Sequence, residues 1–217
     1  MADNVRLPVT GTGTADVDAA TDDVSGVHYQ KIKVVDGTAD STTPMKVNSD
    51  GAAWVAGLGF PVTIKVDVTR PADTTAYAVG DCISNSTSAP TSGGFTFSNA
   101  ARKSGGSIYI TDLRIATSAD PATRLAGEVF IFDQATTNIN DNAAFAVSDA
   151  EIKNCVGVIP FSLFDSGNNG YAHVSGLGIL ATCSGSADLR FLIRTRNAYT
   201  PASDEVFSFM LSGFQVD

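Results

Sequence analysis

The sequence predicts an all-β protein: an extended N-terminal arm with a short hairpin, followed by an antiparallel, jelly-roll-like β-sandwich. Composition is the first reason. Gly, Ser and Thr abound and Lys is scarce, while only three Glu (Glu128, Glu151, Glu205) stand among 23 acidic residues, so strong helix formers are thin and strand and turn formers plentiful. The second reason is periodicity. From Val62 onward, short runs alternating apolar and polar residues recur between Gly, Pro, Ser and Asn clusters, with no helical segments between them, which argues against an α/β fold. The third is the opening stretch: residues 1–26 carry acids at Asp16, Asp18, Asp22 and Asp23 and almost no large apolar side chain, too little to close a core alone.

Taken in order, residues 1–26 are expected to form an extended arm, loose or laid on a partner, because their Thr, Val and Gly suit added strands better than helices. VHYQKIKVVDGT then alternates from Val27 to Val35 and meets a turn signal at Asp36-Gly37. Short strands are expected around Met45–Val47 and Ala53–Val55, on either side of Asp50-Gly51 and including the sole tryptophan, Trp54. Gly57, Gly59 and Pro61 punctuate the chain, giving a division into an arm with a small hairpin (1–56) and a sandwich (57–217). In the sandwich, strands are expected within 62–69, 74–83, 93–102, 105–118, 124–134, 155–164, 171–184, 186–199 and 205–217. Residues 138–154 hold the one helical turn, with Ser148 as N-cap and Glu151 completing a capping box. Two Greek keys, hence a jelly roll, suit this number of strands.

Charge and residue inventory narrow the function. Fourteen basic residues against 23 acidic ones leave a net charge of -9, which disfavours nucleic acid and anionic lipid as partners. Three cysteines, Cys82, Cys155 and Cys183, are widely spaced without C-x-x-C, so reduced thiols are expected rather than a zinc site or a disulfide framework. No signal-like opening or membrane-length apolar run is present in the sequence, and synthesis in a cytoplasm is expected. Only two histidines, His28 and His173, limit His-based catalysis. Gly11-Thr12-Gly13-Thr14 lacks the strand, helix and Lys of a phosphate loop. Asp133, Asn138, Asn140, Asp141 and Asn142 offer oxygen ligands without a calcium-loop spacing, and Asp and Asn are first of all turn formers. His173 and Ser175 lie close in sequence but without a nucleophile elbow. No cofactor, no metal and no enzymatic activity are expected. Arg190, Arg194 and Arg196 place three cations on one face of a strand, a solvated face or an electrostatic contact with an acidic neighbouring subunit.

The segment Gly26-Val27-x-Tyr29-Gln30-x-Ile32-Lys33-Val34-Val35-Asp36-Gly37-Thr38-Ala39-Asp40-Ser41-Thr42 resembles the N-terminal segment of tailed-bacteriophage capsid decoration (cement) proteins, and the region from Val62 looks like the β-sandwich of phage capsid-associated proteins. That resemblance implies no catalytic residues. It implies a structural virion protein on the outer surface of the head, made in the host bacterial cytoplasm, that bridges subunits of the major capsid protein. The arm residues Val27, Tyr29, Ile32, Val34 and Trp54 are then expected to contact the capsid or a sister subunit, in a homotrimer or alternatively a dimer. The rival expectation is a tail or head-fibre component binding host glycans, with Tyr77, Tyr109, Tyr171 and Tyr199 as exposed aromatics for sugar stacking.

Overall fold

The structure, a computed structural model, describes residues 3–7, 17–24, 27–30 and 59–216. The chain divides into two compact units, Met1–Ala56 and Gly57–Asp217.

In the N-terminal unit, β1 (Asp3–Leu7), β2 (Val17–Val24) and β3 (Val27–Gln30) form a three-stranded antiparallel sheet in the order β1-β2-β3. Asp3 lies opposite Thr21 and Leu7 opposite Val17, and Val24 lies opposite Val27. Here the structure departs from the expected arm. Extended backbone needs partners for its N–H and C=O groups, and a neighbouring stretch of the same chain supplies them at low loop-closure cost. Ile32, Val34, Trp54 and the strands expected around Met45–Val47 and Ala53–Val55 lie outside the described residues.

The second unit is the sandwich. Its strands are β4 (Phe60–Thr69), β5 (Cys82–Ile83), β6 (Phe95–Phe97), β7 (Ser107–Thr117), β8 (Ala126–Phe132), β9 (Cys155–Ser162), β10 (Phe164–Asp165), β11 (Gly170–Thr182), β12 (Leu189–Thr195) and β13 (Val206–Gln215). The first sheet runs β10-β11-β7-β13-β4 and the second β5-β12-β8-β9, with β6 also on β12. Every pairing is antiparallel, and the pairs are nested: β4 with β13, β5 and β6 with β12, β7 with β11, β8 with β9. The chain is thus one long hairpin with its tip at β8–β9, rolled so that β13 lies beside β7 and β12 beside β8. That is the winding of a jelly roll.

Alternation places the core between the sheets. Ile108, Ile110, Leu113 and Ile115 of β7, Phe207, Phe209 and Leu211 of β13, and Phe191 and Ile193 of β12 are fully buried. The buried set in β7 changes parity because Asp112 pairs with Ser212 and Ile110 with Gly213, leaving Thr111 as an extra residue. This bulge lets both halves of the long strand face inward. It also brings backbones close: a Cβ on Gly213 would lie 2.4 Å from the Tyr109 carbonyl oxygen, so only glycine fits.

The expected strand at 74–83 is mostly loop. Only Cys82–Ile83 joins a sheet, and Tyr77 makes a single bridge to Tyr199. Gly80 adopts a positive φ of 92° and Asp81 caps the Ala78 N–H, which bends the chain out of register. The capping box at Ser148 does form: the Glu151 carboxylate accepts from the Ser148 N–H at 3.1 Å, and Ser148 Oγ accepts from the Glu151 N–H at 3.3 Å. The 3-10 turn Ile152–Asn154 follows.

Candidate functional site

Three polar or aromatic constellations and one bare sheet face stand out on the sandwich. The first is a buried clasp at one end. Arg70, 2% exposed, directly follows β4 and donates from Nη2 to Asp141 Oδ2 at 2.9 Å and from Nε to the Tyr77 hydroxyl. Tyr77 donates to Asp141 Oδ1 at 2.6 Å, and the Ser84 N–H donates to the same oxygen at 2.7 Å. The Tyr77 ring stacks on Tyr199, whose hydroxyl donates to Glu205 Oε1 at 2.6 Å, an oxygen that also accepts from Thr117. Burial, reinforced by Asp141 for Tyr77 and by Glu205 for Tyr199, pushes both phenols above their ordinary range. A buried charge pair with its remaining donors and acceptors satisfied is costly to break, and this one ties four loop segments together. Sequence reasoning missed it: Arg70 reads as a strand stop before Pro71, and Asp141 as a turn former.

That clasp also decides two expectations. Tyr77 and Tyr199, expected as exposed stacking aromatics, are each 1% exposed, because their hydroxyls are needed as donors to buried carboxylates. The Asp and Asn group from Asp133 to Asn142 is dispersed: Asp141 serves Arg70, Asn138 accepts the Gly93 N–H at 2.7 Å, and Asn142 sits at a φ of 58° and donates to the Ala76 carbonyl.

The second constellation is the arginine row. Arg190, Arg194 and Leu192 share the outer face of β12, and the face is not simply solvated. Leu192, Phe130, Phe132, Cys82 and Ile139 form a second small core there, covered by Ala143, Phe145 and Val147. Burial pushes the Cys82 thiol up to about 12, so it is an inert packing group. Arg194 lies over Phe130 and Phe145, with its guanidinium carbon 5.7 and 6.0 Å from the ring centres. Glu128 receives Arg194 at 3.0 Å and Arg196 at 3.4 Å, and Arg190 donates to the Thr96 hydroxyl. Arg194 and Arg196 thus meet Glu128 of their own chain.

The third constellation is aromatic. Phe164, 53% exposed, meets Tyr171 edge-on at 5.5 Å beside an open cleft of about 330 Å³ lined by Ser118, Ser166, Asn169, Tyr171 and Ser208.

The outer face of the first sheet is the bare surface. Aligned across it are the rows His173, Arg114, Met210, Lys65 and Leu180, Tyr109, Phe214, Pro61. His173 Nε2 lies 3.0 Å from Asp112 Oδ1, so this histidine belongs to a surface pair with a carboxylate rather than with Ser175. Val27 and Tyr29 lie in β3 of the N-terminal unit, with Val27 opposite Val24 and Tyr29 opposite Asp22.

No family model matches the chain, and no curated protein matches it. Among solved structures it is similar to a chain of the full particle of Israeli acute paralysis virus heated to 63 degrees, with 11% identity over 95% of this chain and 94% of that one at a TM-score of 0.29. It is also similar to a chain of the native virion of Kashmir bee virus at acidic pH, with 12% identity over 95% and 93% of the two chains at a TM-score of 0.28.

Proposed function

We propose that the protein is a structural virion component that decorates and stabilises the head of a tailed bacteriophage by bridging capsid subunits. The observation that carries this reading is the two-part build: a jelly-roll body joined at Gly57 to a strand-forming N-terminal unit that contains the GVHYQKIKVVDGTADST segment. Jelly rolls are a recurrent architecture of capsid proteins. The polar groups of the buried clasp are engaged with one another, which suits a body whose task is rigidity rather than turnover. The N-terminal unit is the attachment element, bound to the major capsid protein or to a sister subunit by strand addition. The net charge of -9 keeps copies soluble and off nucleic acid before assembly in the bacterial cytoplasm. The body then forms the outward knob on the capsid surface.

Location is the test. Purified particles are expected to carry the protein in many copies on the head, and particles lacking it to rupture sooner on heating or at low salt. A few copies confined to the tail would overturn the proposal. A chain without residues 1–56 is expected to stay soluble and to lose particle binding in a co-sedimentation assay.

The Phe164–Tyr171 pair favours a second reading, a fibre component that binds host glycans, since an exposed ring meeting a half-buried one beside an open cleft lined partly by Ser and Asn suits sugar stacking. Glycan-array binding that disappears in Tyr171→Ala and Phe164→Ala would support it, and an array with no binding at all would remove it.

A further inference from the structure

β4 is an edge strand: among the described residues it pairs only with β13, through ten consecutive positions from Phe60–Gln215 to Thr69–Val206 without a bulge. Among the described residues, no second strand pairs with the far side of β4 from Val62 to Thr69. Natural edges are protected by proline, bulges, clustered lysines or brevity. After Pro61 this one has none of these, only one lysine and one aspartate. Thr63, Lys65, Asp67 and Thr69 point outward and are exposed. Val62, Ile64 and Val66 point inward yet are only half-buried, and the strand packed opposite β4 is the three-residue β6. A long open edge thus lies beside an incompletely covered strip of core.

The sequence of that edge is self-complementary. Thr63-Ile64-Lys65-Val66-Asp67-Val68-Thr69 has the same pattern of residue classes from either end about Val66, with Thr matched by Thr, Ile by Val and a base by an acid. We propose that β4 is a two-fold docking edge for a second copy of this chain, pairing antiparallel with its counterpart about Val66. In this register Val66 meets Val66, and Ile64 meets Val68, Lys65 meets Asp67 and Thr63 meets Thr69 twice each. Aliphatic, opposite-charge and threonine pairs are the favourable cross-strand combinations. Shifting by two residues sets Lys65 against Lys65 or Asp67 against Asp67, and shifting by one turns every side chain to the wrong face. The charges therefore select the register as well as the partner. The contact is isologous, so it consumes both edges and closes, joining two five-stranded sheets into one without open-ended growth. It does not depend on the virion reading, since it is a property of the free protein. It is a dimer contact, or a link between larger rings.

The test is the oligomeric state of the full chain by sedimentation velocity from about 1 to 100 μM. The unaltered protein is expected to dimerise. Lys65→Asp sets acids against acids and Asp67→Lys sets lysines against lysines, each weakening the dimer about tenfold or more, while the double exchange K65D/D67K restores it to within about threefold. Both side chains are roughly half exposed, and thermal melts check that each variant is folded. As a second measurement, T63C/T69C places cysteines opposite each other across the axis, and mild oxidation is expected to give a covalent dimer absent from the unaltered chain. Within one chain the two positions are about 20 Å apart along the strand and cannot bridge. A monomer throughout the concentration range, a dimer indifferent to the single exchanges, a double exchange no better than the singles, or failure to cross-link would each overturn the proposal.

Discussion

The second sheet is roofed by the loop that joins β8 to β9, whereas among the described residues no loop of the sandwich forms such a layer over the outer face of the first sheet. Under the roof, Phe130, Phe132 and Leu192 are buried by Phe145 and Val147, and the loop backbone is tied to the Cys82 region through Cys82 N to Ala143 O at 2.8 Å and Phe145 N to Gly80 O at 2.9 Å. On the bare side, Leu180 stays 63% exposed and Tyr109 41%. The contrast teaches where a jelly-roll body keeps stability and where it leaves surface for contact. One face is made two layers deep by a long loop, and the other keeps a regular ladder ending in an open edge.

Substitutions on the two faces test how far they differ. The largest effect is expected from Asp141→Ala, which detaches the roof from Arg70 and leaves the buried guanidinium only the more distant Asp73 carboxylate, 3.5 Å away, as counter-charge, at a cost of about 3 kcal/mol in chemical denaturation. Leu192→Ala, beneath the roof, is expected to cost about 2–4 kcal/mol by the same measurement. Glu151→Ala at the far end of the roof removes the capping box for about 1 kcal/mol or less. Hydrogen bonds from Ser148 and Thr137 hold the Glu151 carboxyl at about 2, below its ordinary 4.5. Its contribution is therefore complete above pH 4.5 and is lost as pH falls toward 2, so melting temperatures of parent and variant should converge on acidification. Leu180→Ser on the bare face is expected to change stability by no more than about 0.5 kcal/mol. A large loss there would mean that the face is covered in the free protein.

The bare face was legible in the sequence and the roof was not. Strict alternation in VTIKVDVT, SIYITDLRIAT and VFSFMLSGF marks strands whose polar side faces water, and all three were placed within a few residues. The capping box was legible because both of its partners lie within four residues. The clasp was not, because Arg70 and Asp141 are 71 positions apart and nothing local in either segment points to the other. The loss of the strand at 74–83 follows from the same cause: Tyr77 looks like a strand residue, but it is drawn to a buried carboxylate. The roof left a faint signal in Ala143-Phe145-Val147, an alternation that marks one dry side inside an otherwise polar loop. For the arginine row, the shared face was readable from period two, whereas the pairing with Glu128 required knowing that β8 lies beside β12. In the N-terminal unit, the pairing of β1 with β2 was hidden because short polar strands carry little periodic contrast.

The pairing of Phe60 with Gln215 places the entry of the body beside its exit, and at Gly59 a Cβ would lie 2.2 Å from the Gln215 carbonyl oxygen. This junction sets the mechanical behaviour of the molecule. Tension arriving from the N-terminal unit enters β4 directly and, when directed along the strand, loads all ten of its pairings with β13 in parallel instead of peeling them one at a time. The body is then a shear-loaded anchor, with its resistance to pulling set by the rate of rupture of a whole ladder rather than by its equilibrium stability.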